Sequence, residues 1–179
     1  VVFKDFLEPI SMQTMSPMST PLRWSEGLEL DFLAMDATHR EFVDLLAAVV
    51  QAPDAQLLPA WTALIAHTDA HFSQEDQWML ATGFSPENCH SLQHKVILQV
   101  MREGQQSAQK GQLYVVRQMA YELGQWFPQH AQSMDASLAL HLRSAGFDPI
   151  AGTVAEAAAI PTTPIHGCGG STCGDTAAH

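Results

Sequence analysis

Basic residues are scarce in this chain, with eight Lys and Arg among 179 residues against nineteen Asp and Glu. The resulting formal charge of −11 would repel nucleic acid and anionic membrane surfaces, so neither is expected as a partner. Charged residues of both signs reach only 15%, while 46% of the chain is hydrophobic, enough for a substantial core. Long apolar runs are missing: none approaches the roughly 18 residues of a membrane-spanning helix. The first residues lack the basic start, apolar middle and small-residue cleavage site of a secretory signal, so a soluble cytoplasmic protein is expected. Cysteine is sparse as well. Cys89, Cys168 and Cys173 are an odd set, too few for a disulfide framework, and a reducing cytosol would keep them as thiols.

What is present is helical periodicity and histidine. Residues 1–23 are rich in Met, Ser and Pro, have no sustained period and read as a flexible leader. The chain starts with Val, so Met12, Met15 or Met18 is a possible original initiator. The spacing of those three methionines suits soft copper, but no His or Cys accompanies them, and a plain leader is the better reading. Residues 24–147 carry four stripes with steps of three and four. The first is Phe32, Met35, His39, Phe42, Leu46, Val49, and the second is Trp61, Leu64, Thr68, His71, Glu75, Trp78. The third is His90, His94, Ile97, Met101, and the fourth is Leu113, Val116, Ala120, Leu123, Phe127, His130, Met134. Turn signals at Pro53-Asp54, from Gly83 to Pro86 and from Gly104 to Gly111 separate them. The expected fold class is all-α, an antiparallel up-down four-helix bundle over 24–147. Residues 148–179 are rich in Ala, Gly, Thr and Pro and read as a tail with too little apolar surface to order itself. In that tail, His166, Cys168 and Cys173 lack a nearby fourth ligand and read as incidental rather than as a zinc site. Cys89 is expected to pack as a small hydrophobe.

Polar residues lie inside the apolar stripes, and buried imidazoles or carboxylates are costly unless paired or bound to metal. A single interior histidine is usually a hydrogen-bonded core residue. Here His39, His71, Glu75, His90, His94 and His130 all fall on inward stripes, too many to satisfy one another. The pairs His71/Glu75 and His90/His94 are four residues apart, which places each pair on one helix face. A metal site follows.

These residues resemble the hemerythrin family. Its ligand order is a His on the first helix, His-x-x-x-Glu on the second, His-x-x-x-His on the third and His-x-x-x-x-Asp on the fourth. This chain offers His39, then His71 and Glu75, then His90 and His94, then His130 and Asp135. The surrounding His71-Phe72-x-x-Glu75-Asp76-x-x-Met79, Trp126-x-x-x-His130 and Trp24 are also similar, and the likeness covers roughly residues 24–147. One departure is geometric. Five residues of ideal helix would turn Asp135 about 140° away from His130. Pro128 suggests a kink or local widening that brings it inward.

The resemblance implies two iron ions bridged by an oxo or hydroxo group. One would be held by His90, His94 and His130, the other by His39 and His71, with Glu75 and Asp135 bridging. One position on the second iron would then be open to dioxygen or another small diatomic. The expected function is oxygen carriage, storage or delivery rather than catalysis. The alternatives are an oxygen or redox sensor acting through a separate partner, and an enzyme that reduces nitric oxide or peroxide. Carboxylate-rich di-iron oxygenases use two Glu-x-x-His motifs, and this chain has one such run, Glu87 to His90. His67 is expected at the bundle edge, with a supporting role near His71 as its other reading. His141 is expected to be exposed or capping.

Overall fold

The computed structural model describes residues 21–155 and 160–167. The Met-rich part of the leader, Cys168 and Cys173 lie outside the described residues. Four antiparallel helical segments form the bundle: α1 (Leu33–Gln51), α2 (Asp54–Ala81), α3 (Cys89–Gln109) and α4 (Leu113–His130). The last continues without a break through a five-residue π turn, Ala131–Asp135, into α5 (Ala136–Ser144). A two-residue hairpin of β1 (Phe147–Asp148) and β2 (Thr153–Val154) closes the end of α5.

The four stripes face inward. Met35, His39, Phe42, Leu46 and Val49 are buried on α1, and Trp61, Leu64, Thr68, His71, Glu75 and Trp78 on α2. His90, His94, Ile97 and Met101 are buried on α3, and Val116, Ala120, Leu123, Phe127 and His130 on α4. Leu113, at the start of α4, is only half-buried. Two apolar clusters fill the interior. The larger contains Phe42, Leu46, Trp61, Phe72, Met101 and Phe127, and the smaller contains Met35, Trp78, Met79, Leu138 and Leu142. Consecutive turns of α1, α2 and α4–α5 pass from one cluster to the other, and His39, Glu75 and Asp135 sit at the crossing.

Entry into α1 is set by the buried Asp36. Its carboxylate accepts from the backbone N–H of Leu30 at 2.8 Å and of Phe32 at 3.2 Å. The bond from Phe32 satisfies a donor that the helix start leaves open, and the bond from Leu30 ties the preceding segment to it. It also holds the left-handed turn at Asp31, φ 54°, a conformation that Asp tolerates better than most residues.

The glycine expected to open the last turn lies elsewhere. Gly104 is buried within α3, and the reversal comes later, at Lys110 to Gln112. A Cβ at Gly104 would stand 2.3 Å from Met119 Sδ of α4, so the glycine serves helix contact rather than chain reversal. Next to it, Trp61 is fully buried and donates its indole N–H to Met101 O at 3.0 Å.

Part of the segment beyond residue 147 also lies against the bundle. In addition to the hairpin, residues 160–167 run beside the α2–α3 connection, where Ile165 bridges Phe84. Cys89, expected to pack as a plain apolar thiol, is instead disulfide-bonded, with its partner outside the described residues.

Replacing Trp61 by Ala removes the largest side chain of the main cluster and is expected to lower stability by about 3–5 kcal/mol. Denaturant unfolding followed by far-ultraviolet circular dichroism measures this.

Candidate metal centre

All seven side chains named from the sequence lie together at the crossing between the apolar clusters, and all are buried. Two neighbourhoods share the carboxylates. Glu75, His90, His94, His130 and Asp135 form one, and His39, His71, Glu75 and Asp135 the other, with the donor atoms of each within 4.8 Å of one another.

Helix geometry explains the convergence. His71/Glu75 and His90/His94 are one turn apart on α2 and α3, so each pair projects from one face. The His130–Asp135 spacing is carried by the π turn, whose wider winding suits a five-residue repeat. It brings Asp135 Oδ1 to 3.1 Å from His130 Nε2. The widening expected near Pro128 is therefore present, just beyond the proline.

Each carboxylate divides its two oxygens between the neighbourhoods. Glu75 Oε1 faces His71 Nε2 at 3.7 Å and His39 Nε2 at 4.0 Å. Glu75 Oε2 faces His94 Nε2 at 3.4 Å and His90 Nε2 at 3.5 Å. Asp135 Oδ2 faces His39 Nε2 at 3.2 Å, while Oδ1 faces His90 Nε2 at 3.0 Å. Despite this proximity, the Nε2 atoms of all five histidines and all four carboxylate oxygens are buried without a hydrogen-bond partner. Such a cluster is costly as it stands. Imidazole nitrogens and carboxyl oxygens grouped around shared points are the kind of donors that metal ions take, and the orphaned atoms fit such a centre.

The outer nitrogens are treated unequally. His94 Nδ1 donates to Asp76 Oδ1 at 3.1 Å, and His130 Nδ1 to Gln93 Oε1 at 2.7 Å. Both bonds put the proton on Nδ1 and leave Nε2 free to ligate. His39 Nδ1 has no such partner. Aromatic rings complete the packing: Phe72 stacks on His94 at 3.9 Å, Trp126 on His130 at 4.4 Å, and Phe127 meets His39 edge-on at 5.1 Å.

Electrostatics follow from burial and crowding. Burial and the nearby charge of Asp135 push the Glu75 carboxyl up to about 8. Burial works against the charged form of Asp135 too, but the facing His130, His39 and His90 outweigh it and hold this carboxyl well below its ordinary range. Burial brings His130 down to about 4 and His71 well below its usual value. For His39, burial is overcome by Asp135, Glu75 and Asp36, which raise it.

A family model described as the hemerythrin HHE cation-binding domain matches residues 32–140. The chain belongs to the hemerythrin family. Among curated proteins, a Bacteriohemerythrin from Ralstonia nicotianae is 39% identical over 127 residues, which span 71% of this chain and 93% of that relative. No solved structure matches.

Around the hemerythrin-family motif, sequence reasoning left several supporting residues without roles. Asp76 had one readable signal, its place beside Glu75 in the helix-two motif. Gln93 had none, because its partner His130 is on another helix. His67 is half-buried at the α1–α2 edge, with Nε2 3.1 Å from Thr38 O and Nδ1 3.6 Å from exposed Glu41. His141 is also half-buried and donates from Nε2 to Thr82 O at 2.9 Å, tying α5 to the end of α2.

Two outcomes are expected. Removing the bond to His94 with Asp76→Ala should weaken metal affinity roughly 10–100-fold, measured by competition with a chelator. Because Glu75 is raised to about 8, it is protonated at pH 7 without metal and must be ionised to ligate. Metal addition at pH 7 should therefore release a proton from Glu75, and the release should diminish by about one proton as pH rises past that value, read with an indicator dye.

Proposed function

We propose that this chain is a non-haem di-iron protein that binds dioxygen for carriage, storage or delivery. His90, His94 and His130 would hold one iron and His39 and His71 the other, with Glu75 and Asp135 shared and an oxo or hydroxo group completing the bridge. The iron pair supplies two electrons to dioxygen when bound. The observation that carries this reading is the split of each carboxylate's oxygens between a three-imidazole and a two-imidazole neighbourhood. With fewer protein donors, the His39/His71 side is the one left open to a small diatomic.

The chain's own residues favour binding over turnover there. Met35 and Phe42 flank His39 one turn away on either side, both buried, and Phe127 covers its ring. Thr68, one turn before His71, gives its hydroxyl proton to Leu64 O at 2.8 Å, so it has no proton to offer the site. An apolar wall of this kind limits entry of water and protons, which protects a bound oxygen from release in reduced form. The name of the relative, Bacteriohemerythrin, accords with this reading.

Anaerobic reduction followed by air, with the visible spectrum and iron content recorded, tests the proposal. A reversible oxygen-dependent band with about two irons per chain is expected. A ferric product that forms at once and never reverts would contradict carriage and point instead to enzymology.

A further inference from the structure

The α2–α3 connection is fastened from outside the bundle. Ser85 N–H donates to Ile165 O at 2.8 Å, and Ile165 N–H donates to Gly83 O at 3.0 Å. Cys89 N–H reaches His166 O at 3.4 Å. Gly83 takes a positive φ of 97°, and a Cβ there would stand 3.0 Å from Pro161 Cδ, so the strap lies close against the turn. At the end of this ladder Cys89 is disulfide-bonded and only half-buried.

What the strap holds is the start of α3. Cys89 is its first residue, and the next is His90, with His94 one turn on. The same turn is capped from within. Asn88 Oδ1 accepts from His90 N–H at 2.9 Å and Ser91 N–H at 3.0 Å, and Asn88 Nδ2 donates to Ser85 O at 2.9 Å. Ser85 thus links cap and strap: its carbonyl anchors Asn88 and its N–H is held by Ile165. Two histidines of the three-imidazole neighbourhood therefore hang on a turn clamped by three backbone hydrogen bonds to the 160–167 segment and by the disulfide at Cys89. Short segments of this kind open locally at little cost unless tied down.

We infer that residues 160–167 and the Cys89 disulfide form a redox-operated latch, which holds the His90-bearing turn of α3 when oxidised and releases it when a dithiol reductant acts. In that step the S–S bond breaks, two thiols form, and the dithiol supplies both electrons and both protons as it closes to its own disulfide. The latch itself is a property of the chain. Its effect on metal retention rests on the di-iron reading above.

Peptide mapping of the full chain, alkylated without reduction, should recover Cys89 in a crosslinked peptide, and Cys168→Ser and Cys173→Ser tested singly identify the partner. Amide hydrogen exchange on the metal-free protein should then show residues 83–94 exchanging about five- to thirtyfold faster after treatment with a phosphine reductant, which carries no thiol to compete for metal. The rest of α2 and α4 should be unchanged. Cys89→Ser should match the reduced protein whether or not reductant is added. In the iron-loaded protein, reduction should accelerate iron loss to a chelator by a similar factor. Full alkylation of Cys89 without reductant, or equal exchange of 83–94 in both states, overturns the latch. Faster exchange without any iron uptake keeps the latch and rejects the di-iron reading. Faster exchange with unchanged iron loss overturns the coupling of latch to metal.

Discussion

Nine donor atoms, five imidazole nitrogens and four carboxylate oxygens, are withdrawn from water at one level of the bundle and left without hydrogen bonds. Burying one such group costs a few kcal/mol, and a charged one more. The apolar clusters on both sides supply the driving force to close this layer, and a metal held as proposed would take up the orphaned lone pairs. The clusters, the caps and the π turn all serve that layer. Without the clusters it would hydrate. Without the π turn, Asp135 would leave the face that His130 occupies.

The layer is asymmetric in two independent ways. Three imidazoles stand on one side and two on the other. The richer side is also better braced, since His94 and His130 have their outer nitrogens fixed by Asp76 and Gln93, whereas that of His39 meets no partner. Bracing sets the tautomer and makes an imidazole a stronger donor. The less crowded, less braced side is lined by Met35, Phe42 and Phe127. On the reading proposed above, the three-imidazole side would hold its metal more firmly, and the two-imidazole side would leave room for a small ligand.

Much of this was legible in the sequence because the periodicity of helices is local. The stripes through His39, His71, Glu75, His90, His94 and His130 could be read at steps of three and four, and the buried faces follow them. The inward turn of Asp135 was foreseen only as a need for widening, since no local pattern announces a π turn. Gly104 misled, because a glycine that permits close helix contact looks the same in sequence as one that ends a helix. Gln93 and the 160–167 strap were illegible for a common reason. Their partners, His130 and the 83–89 turn, are far away in the chain, and composition alone made the strap look like a loose tail. Cys89 gave no signal either, since three cysteines without a framework do not announce a pairing.

Anomalous diffraction at the iron edge from crystals of the loaded protein bears most directly on the shared-carboxylate centre. Two metal peaks are predicted, one against the Nε2 atoms of His90, His94 and His130 and one against those of His39 and His71, with Glu75 and Asp135 touching both. A single peak, or a pair that leaves Asp135 or His39 unbound, would contradict the account.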